Sequence, residues 1–338
     1  MSAMFNDDSV VLLLNELSKQ SNRYLSIFIL LFGTIGNLLN CLVLSQPSLR
    51  TNPCAFLFLA SSIANMISLI FGLSTRILAG WNLDLTSTNS ILCKSRVYIM
   101  FVSRTIAFWL IALATIDRWC SSCIQHQRRR MSSLRNAHRG TFIIVILSSL
   151  FYCQVIYCYE SNILQIPLAC YGRNRFCRFL TDFTYAIITV LCPIMIMSIL
   201  GILTIINIRQ TYAIILSKSK LSKEYQRHRG TLSMTRTQRE RWKKIDRYLR
   251  HVLFRQIILQ MIFTLPQVIE KLYTTITIHQ MKSPIQIAMD RFIYNCVLLL
   301  TYVASGMPFY IYTLSGGSIF RTTFVNLVRR CSNQFSCI

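Results

Sequence analysis

Five long segments of this sequence contain no charged residue, and this feature restricts the possible folds more than any other. They are residues 24–49, 51–75, 141–159, 183–208 and 292–320. A helix that crosses a lipid bilayer needs about 20 predominantly apolar residues, which each segment supplies. Two further apolar segments, 97–116 and 252–269, each contain one arginine. The pattern predicts seven membrane-spanning helices and excludes a transmembrane β-barrel, whose strands are short and alternate in polarity.

The composition supports an integral membrane protein. Charged residues make up 14% of the chain, compared with about 25% in soluble domains, and hydrophobic residues make up 53%. Glycine and proline number only 11 and 7, which excludes a collagen-like or low-complexity chain. We therefore expect an all-α fold, in which a bundle of seven transmembrane helices is followed by a short amphipathic eighth helix.

The apolar segments and the polar residues between them divide the chain into arm, spans, loops and tail. The prediction gives an extracellular N-terminal arm at 1–23, spans at 24–46, 54–76, 93–120, 140–160, 182–209, 246–274 and 288–313, a second extracellular loop at 161–181, a third intracellular loop at 210–245, an amphipathic helix at 317–330 and a cytoplasmic tail at 331–338. The amphipathic helix is expected to lie on the inner leaflet. Cys331 and Cys337 follow it and are candidates for palmitoylation.

The distribution of lysine and arginine predicts the orientation in the membrane. With the N-terminus outside, the inner segments hold 23 Lys and Arg residues and the outer segments hold 11. Cytoplasmic loops carry the excess of basic residues in membrane proteins. We therefore expect a multi-pass protein of the plasma membrane with an extracellular N-terminus and a cytoplasmic C-terminus. Contacts with anionic membrane lipid then explain the net charge of +24, and nucleic acid is not an expected partner.

Arg104 is a charged residue at membrane depth, where an arginine must face a cavity or a partner. Two interpretations are open. The guanidinium is either a ligand-binding cation that meets a carboxylate or an aromatic group, or one half of a structural ion pair with Glu270 or Asp290. The candidate ligand pocket comprises Met100, Arg104, Gln260, Gln267, Glu270 and Asp290.

Several motifs occur at positions that match the predicted spans. Asp117-Arg118-Trp119 stands at the inner end of span three, and Cys93 lies 24 residues earlier, about 36 Å along a helix. Asn37 lies within span one, and prolines interrupt the later spans at Pro193, Pro266 and Pro308. Across essentially the whole chain, this set resembles the rhodopsin-like family of G protein-coupled receptors.

The resemblance implies a role for each matching residue. Cys93 corresponds to the cysteine that the family bridges to the second extracellular loop, where Cys170 is the expected partner and Cys177 the alternative. Most of the other cysteines lie within spans and are expected to pack as small apolar side chains. Helix positions of structural importance are Asn37, Asn65, Pro193, Pro266, Pro308 and Tyr312.

The family also implies a switch at the cytoplasmic face. Asp117, Arg118 and Trp119 are the expected G protein-coupling residues. Asp246 lies 20 residues before Pro266, about 30 Å along a helix, so it is level with Arg118 and could hold the resting state. The expected partners are an extracellular ligand, a heterotrimeric G protein, receptor kinases and arrestin. Invertebrate neuropeptide receptors of the FMRFamide type are the most similar subfamily, which implies a peptide ligand.

The sequence departs from the family at several motifs. Asn65 stands in place of the span-two aspartate, the span-six Cys-Trp-x-Pro motif reads Phe263-Thr264-Leu265-Pro266 without its tryptophan, and Tyr312 fits the span-seven motif only with a register shift of one residue. A receptor with degraded signalling motifs is therefore one alternative, and a transporter or channel is another. We expect no enzyme activity, metal or cofactor, since no catalytic pair, phosphate-binding loop or metal-ligand cluster occurs in the sequence.

Overall fold

The computed structural model describes residues 2–47, 49–161, 170–222, 236–277 and 280–314, together with Val325 and Arg329. The helices are α1 (Ser2–Gln20), α2 (Ser26–Leu44), α3 (Pro53–Gly80), α4 (Ser90–Ser122), α5 (His126–Met131), α6 (Leu134–Cys158), α7 (Arg175–Thr184), α8 (Cys192–Ser222), α9 (Arg236–Ile276), α10 (Pro284–Gly306) and α11 (Pro308–Leu314). Two π-helical segments, Ser21–Leu25 and Tyr185–Leu191, continue α1 into α2 and α7 into α8. Strands β1 (Tyr159–Glu160) and β2 (Tyr171–Gly172) pair antiparallel.

Six helical segments of the described chain are long and apolar enough to cross a membrane. They are Asp8–Leu44, Pro53–Gly80, Ser90–Ser122, Leu134–Cys158, Arg175–Gln210 and Pro284–Gly306. Large apolar side chains such as Phe28, Phe142 and Leu150 are more than 60% exposed on the outer surface of the bundle. Soluble monomers rarely expose extensive apolar surface. The protein is thus an all-α, multi-pass membrane helix bundle, and α9, which covers the sixth predicted span, is not among the six segments.

Local sequence signals explain where several helices begin. The side chain of Asn52 accepts hydrogen bonds from the backbone N–H groups of Cys54 and Ala55 at the start of α3. Ser283 and Gln286 form a reciprocal capping box before α10, which has Pro284 as its first residue. Asparagine and serine side chains satisfy backbone donors at a helix start, and proline is favoured there because it has no N–H to lose.

Helix α4 lies at the centre of the bundle and packs against α3, α6 and α8. On another side, α2 and α10 approach closely because both present glycine, and a Cβ atom added to Gly306 would lie 2.8 Å from the Cα atom of Gly33. Small residues allow membrane helices to pack at short separation. Asn37 reinforces this contact by donating a hydrogen bond to the carbonyl oxygen of Ser305 over 3.0 Å.

The helix ends extend beyond several predicted spans. The chain is helical from Ser2, within the predicted N-terminal arm, and α7 begins at Arg175, within the predicted second extracellular loop. Helices α8 and α9 likewise extend into the predicted third intracellular loop, up to Ser222 and from Arg236. The side chain of Asp246, most of the predicted amphipathic helix and both Cys331 and Cys337 lie outside the part that the structure describes.

Candidate functional site

Two disulfides fix the chain between the end of α6 and the start of α7. One of them joins it to Cys93, near the start of α4. Cys93 bonds to Cys170, the first of the two pairings considered, and their Cα atoms are 5.8 Å apart. Cys177 instead bonds to Cys158. The expectation that Cys158 packs as a small apolar side chain was wrong, because it is the last residue of α6 and its Cα atom lies 5.1 Å from that of Cys177 in the first turn of α7.

Beneath this loop lies a narrow cavity of about 40 Å³, here called the outer cavity. Its lining residues come from six parts of the chain: Arg76, Arg96, Val97, Met100, Phe101, Arg104, Tyr159, Cys170, Tyr171, Gln267, Lys271, Tyr294, Leu298 and Tyr302. Helix α4 contributes five of them at helical spacing, so they share one face of that helix. Burial beneath the loop raises the pKa of Tyr171 and keeps its hydroxyl protonated.

The outer cavity is strongly basic. Four lining residues are arginine or lysine, and no carboxylate lines it in the described part of the chain. Only Lys271 is neutralised, through an ion pair of 2.5 Å between its Nζ atom and Asp182 Oδ1. Tyr171 and Thr275 each donate a hydrogen bond to the other carboxylate oxygen of Asp182. Within the described residues, the three guanidinium groups of the cavity therefore form no ion pair with an acid.

Two of the three guanidinium groups are held by neutral acceptors. Arg76 donates to the side-chain oxygen of Asn295 over 2.8 Å. Arg96 donates to the backbone oxygens of Phe71 and Gly72 over 3.1 and 3.3 Å. Neutral acceptors satisfy donor groups but leave the charge uncompensated.

Arg104 is the most deeply buried of the three. Its side chain is 2% exposed, and its guanidinium carbon lies 4.5 Å from the ring centroid of Tyr302. Nη1 makes one long hydrogen bond of 3.5 Å to the hydroxyl of Tyr185, which itself donates to Gln267 over 2.8 Å. Within the described residues, Nε and Nη2 of Arg104 have no hydrogen-bond partner.

Only some of the predicted pocket residues line the outer cavity. Met100, Arg104 and Gln267 do, whereas Gln260, Glu270 and Asp290 are absent from the lining. Neither carboxylate contacts Arg104, since Asp290 pairs with Lys282 over 2.5 Å and Glu270 Oε1 has no partner in the described part. Sequence analysis missed Arg76, Arg96 and Lys271, because they lie near the ends of the predicted spans, where a charged residue needs no buried partner.

At the other end of α4, Arg118 is fixed by neighbouring polar groups. Its Nη2 atom lies 2.6 Å from Asp117 Oδ2 and 3.3 Å from the side-chain oxygen of Asn52. Ser132 donates a hydrogen bond of 2.7 Å to the second carboxylate oxygen of Asp117. The adjacent Trp119 ring lies under the guanidinium group of Arg128, 5.5 Å away.

A second, larger cavity opens beside Arg118 and is here called the inner cavity. It has a volume of about 480 Å³ and lies between α4, α8 and α9, with the lining residues Thr115, Arg118, Gly201, Thr204, Ile205, Ile208, Arg209, Leu253, Phe254 and Ile257. Most of these residues are apolar, so the cavity suits the apolar face of a helix with a polar contact at Arg118.

The remaining motif residues hold the helices together. Tyr312 of α11 donates a hydrogen bond of 2.8 Å to Gln256 of α9. Asn65 is buried in α3, and Pro266 lies inside α9. Pro193 is the second residue of α8, directly after the π-helical segment that ends at Leu191. Pro308 begins α11 because it lacks the N–H that would continue α10.

Comparisons with known proteins give no family assignment. No family model matches the chain, and no curated protein sequence is significantly similar to it. The assignment of function therefore depends on the geometry of the outer and inner cavities.

Proposed function

We propose that the protein is a seven-span receptor of the rhodopsin-like type, located in the plasma membrane with its N-terminus outside. An extracellular ligand binds in the outer cavity, and a heterotrimeric G protein binds at the inner cavity. In this proposal α9 is a transmembrane helix in addition to the six apolar segments, and receptor kinases and arrestin recognise the same cytoplasmic face.

The observation that carries the proposal is the arrangement of α4. One helix carries the bridged Cys93 and the buried Arg104 toward one end, and the Asp117–Arg118 pair at the other. The 25 residues from Cys93 to Arg118 correspond to about 37 Å, enough to span the hydrocarbon core. A ligand site and an effector site at opposite ends of one central helix are what a transmembrane receptor requires.

A hydrogen-bonded chain supports a route from the ligand to the inner cavity. Arg104 of α4 contacts Tyr185, and Tyr185 contacts Gln267 of α9. Gln267 immediately follows Pro266, where the helix lacks a backbone donor and bends easily. A ligand that binds Arg104 can therefore bias the position of α9, although Thr264 stands at the position of the family tryptophan. Such a ligand shifts the equilibrium only by its difference in affinity for the two positions.

Signalling in cells tests the proposal directly. The full-length protein is expressed with each class of heterotrimeric G protein, and activation is measured without ligand and with a library of invertebrate peptides. We expect activation of one class in the wild type and its loss in Arg118→Ala at equal surface expression. Absence of coupling to every class, with the protein correctly inserted in the plasma membrane, would contradict the receptor assignment and support the degraded-receptor alternative.

One observation favours the transporter alternative. The junction between α10 and α11 at Met307 resembles the interrupted helices of transporters. However, the outer and inner cavities share no lining residue, and the helices between them are packed around α4. Uptake of labelled solutes into vesicles that contain the protein distinguishes the two functions.

A further inference from the structure

The free edge of Arg104 has the form of an anion-binding group. Nε and Nη2 lie along one edge of the planar guanidinium group, and both lack a partner within the described residues, whereas Nη1 faces Tyr185. Two parallel N–H groups at this edge match the two oxygens of a carboxylate, which accepts both hydrogen bonds at once. A buried arginine with this edge unused is costly unless a ligand completes it.

We infer that the outer cavity binds the carboxylate group of an acidic ligand, with both carboxylate oxygens on the Nε–Nη2 edge of Arg104. This inference deepens the proposed receptor function and rests on it only for the consequence of binding, not for binding itself. The Tyr302 ring lies over the guanidinium group, 4.5 Å from its carbon, so the cation–π contact engages the face of the group and not its Nε–Nη2 edge.

The charge balance of the cavity supports an anionic ligand. Arg76, Arg96 and Arg104 form no ion pair with a carboxylate in the described chain. Of the two acids nearby, Asp182 is occupied by Lys271, and Asp84 lines the adjoining cavity and accepts hydrogen bonds from Thr86. A ligand carboxylate would offset one of three like charges in a site of low dielectric constant. An amidated peptide with an arginine side chain, as the resemblance to FMRFamide-type receptors implies, would instead add positive charge.

The size of the cavity favours a carboxylate over a larger oxyanion. A cavity needs at least about 10–15 Å³ to hold one water molecule, so the volume of about 40 Å³ accommodates one small polar group and not a whole ligand. A carboxylate has three heavy atoms, whereas a phosphate or sulfate group has five. The rest of the ligand must therefore lie outside this cavity.

A neighbouring cavity offers space for the rest of the ligand. It has a volume of about 490 Å³, lies between α1, α3 and α10, and shares Arg76 with the outer cavity. Lys19 and Arg291 also line it, together with one acid, Asp84, so with Arg76 three cationic side chains face one carboxylate and the lining favours an anion. The ligand class that fits both spaces is an organic acid or an acidic peptide whose free carboxylate enters first.

Thermal unfolding of the purified full-length protein in detergent tests the inference without a G protein. The probes are acetate and propionate, with acetamide and propionamide as neutral controls of the same shape, inorganic phosphate as a larger anion, and sodium chloride at matched ionic strength. We expect the two carboxylates to raise the Tm in a saturable manner, and the amides and chloride to leave it unchanged. Stabilisation by phosphate alone, or by no carboxylate, would overturn the inference.

Variants of Arg104 separate binding from a structural role. Arg104→Gln removes the uncompensated charge, so we expect its Tm without probe to equal or exceed that of the wild type, and the carboxylate shift to disappear. Arg104→Lys keeps the charge but loses the paired donors, so we expect carboxylate binding at least 10-fold weaker. If Arg104→Gln does not fold, the Lys variant alone decides, and undiminished binding in either variant contradicts the assignment.

The receptor and ligand-class proposals fail separately. Carboxylate binding without G protein activation would reject the receptor function and retain the site. Activation by a peptide amide, with no advantage for the same peptide as a free acid, would reject the carboxylate site and retain the receptor.

Discussion

The ammonium group of Lys271 lies 2.5 Å from Asp182 Oδ1, and both side chains are at most 3% exposed. The pair joins α9 to α7, immediately beside the outer cavity. Tyr171 of the loop and Thr275 of α9 donate to the same carboxylate, so one buried acid holds three parts of the chain together. Removing one member of such a pair leaves the other charge buried without compensation.

Asp182→Asn should therefore destabilise the protein severely, by about 3–5 kcal/mol. The substitution keeps an oxygen acceptor for Tyr171 and Thr275, so the loss is mainly that of the charge pair. Thermal unfolding of the purified protein measures the effect. The control is Asp182→Asn combined with Lys271→Met, which removes both charges and should recover most of the stability. A double variant as unstable as the single one would show that the charge pair is not the cause.

The two disulfides should differ in their effect on stability. In the chain-entropy model, the Cys93–Cys170 bond closes a segment with a sequence separation of 77 and contributes about 4 to 5 kcal/mol, and the Cys158–Cys177 bond, with a separation of 19, contributes about 3 kcal/mol. Cys93→Ser should thus lower the Tm more than Cys158→Ser. Peptide mapping without reduction checks the connectivity, and a free Cys93 or a Cys93–Cys177 peptide would contradict the structure.

The contact between α2 and α10 predicts an effect of a single methyl group. In Gly306→Ala, the new Cβ atom would lie 2.8 Å from the Gly33 backbone, so the helices must separate, at a cost of about 1–3 kcal/mol. Gly201→Ala is the matched control, because nothing lies within 4 Å of its added Cβ atom and alanine favours helix by about 1 kcal/mol. Unfolding temperatures of the two variants should move in opposite directions.

The sequence predicted the helical membrane architecture because apolar segments of bilayer length have few alternatives. It singled out Arg104 because charge at membrane depth is rarely without a role, and the structure places this side chain, 2% exposed, at the outer cavity, while its role in binding stays a prediction. It could not predict that Lys271 pairs with Asp182 or that Asp290 pairs with Lys282, because ion pairing depends on side-chain positions in three dimensions. The disulfide of Cys158 was missed for a related reason. Cys158 is the last residue of α6, and the sequence alone does not distinguish that position from one a few residues deeper in the span.

The last prediction concerns the switch at Arg118. Arg118 is held by Asp117 at 2.6 Å, and Asp117 is held in turn by Ser132, so its local position does not depend on α9 alone. A second acid on α9 would tie the two helices, and Asp246, whose side chain lies outside the described part, is level with Arg118 in the sequence-based helix register. If that contact holds the resting state, breaking it releases α9 and enlarges the inner cavity. The equilibrium between the two positions of α9 then shifts by at most the free energy of the pair. Asp246→Asn should then raise basal G protein activation at matched surface expression, whereas Glu240→Gln, a neutralised acid on the same helix, should not.

The alternative is that Asp246 only offsets Lys243, Lys244 and Arg247, and exposed ion pairs of that kind contribute about 0–1 kcal/mol. Equal basal activity of the wild type and Asp246→Asn, in cells where the wild type signals, would establish that alternative.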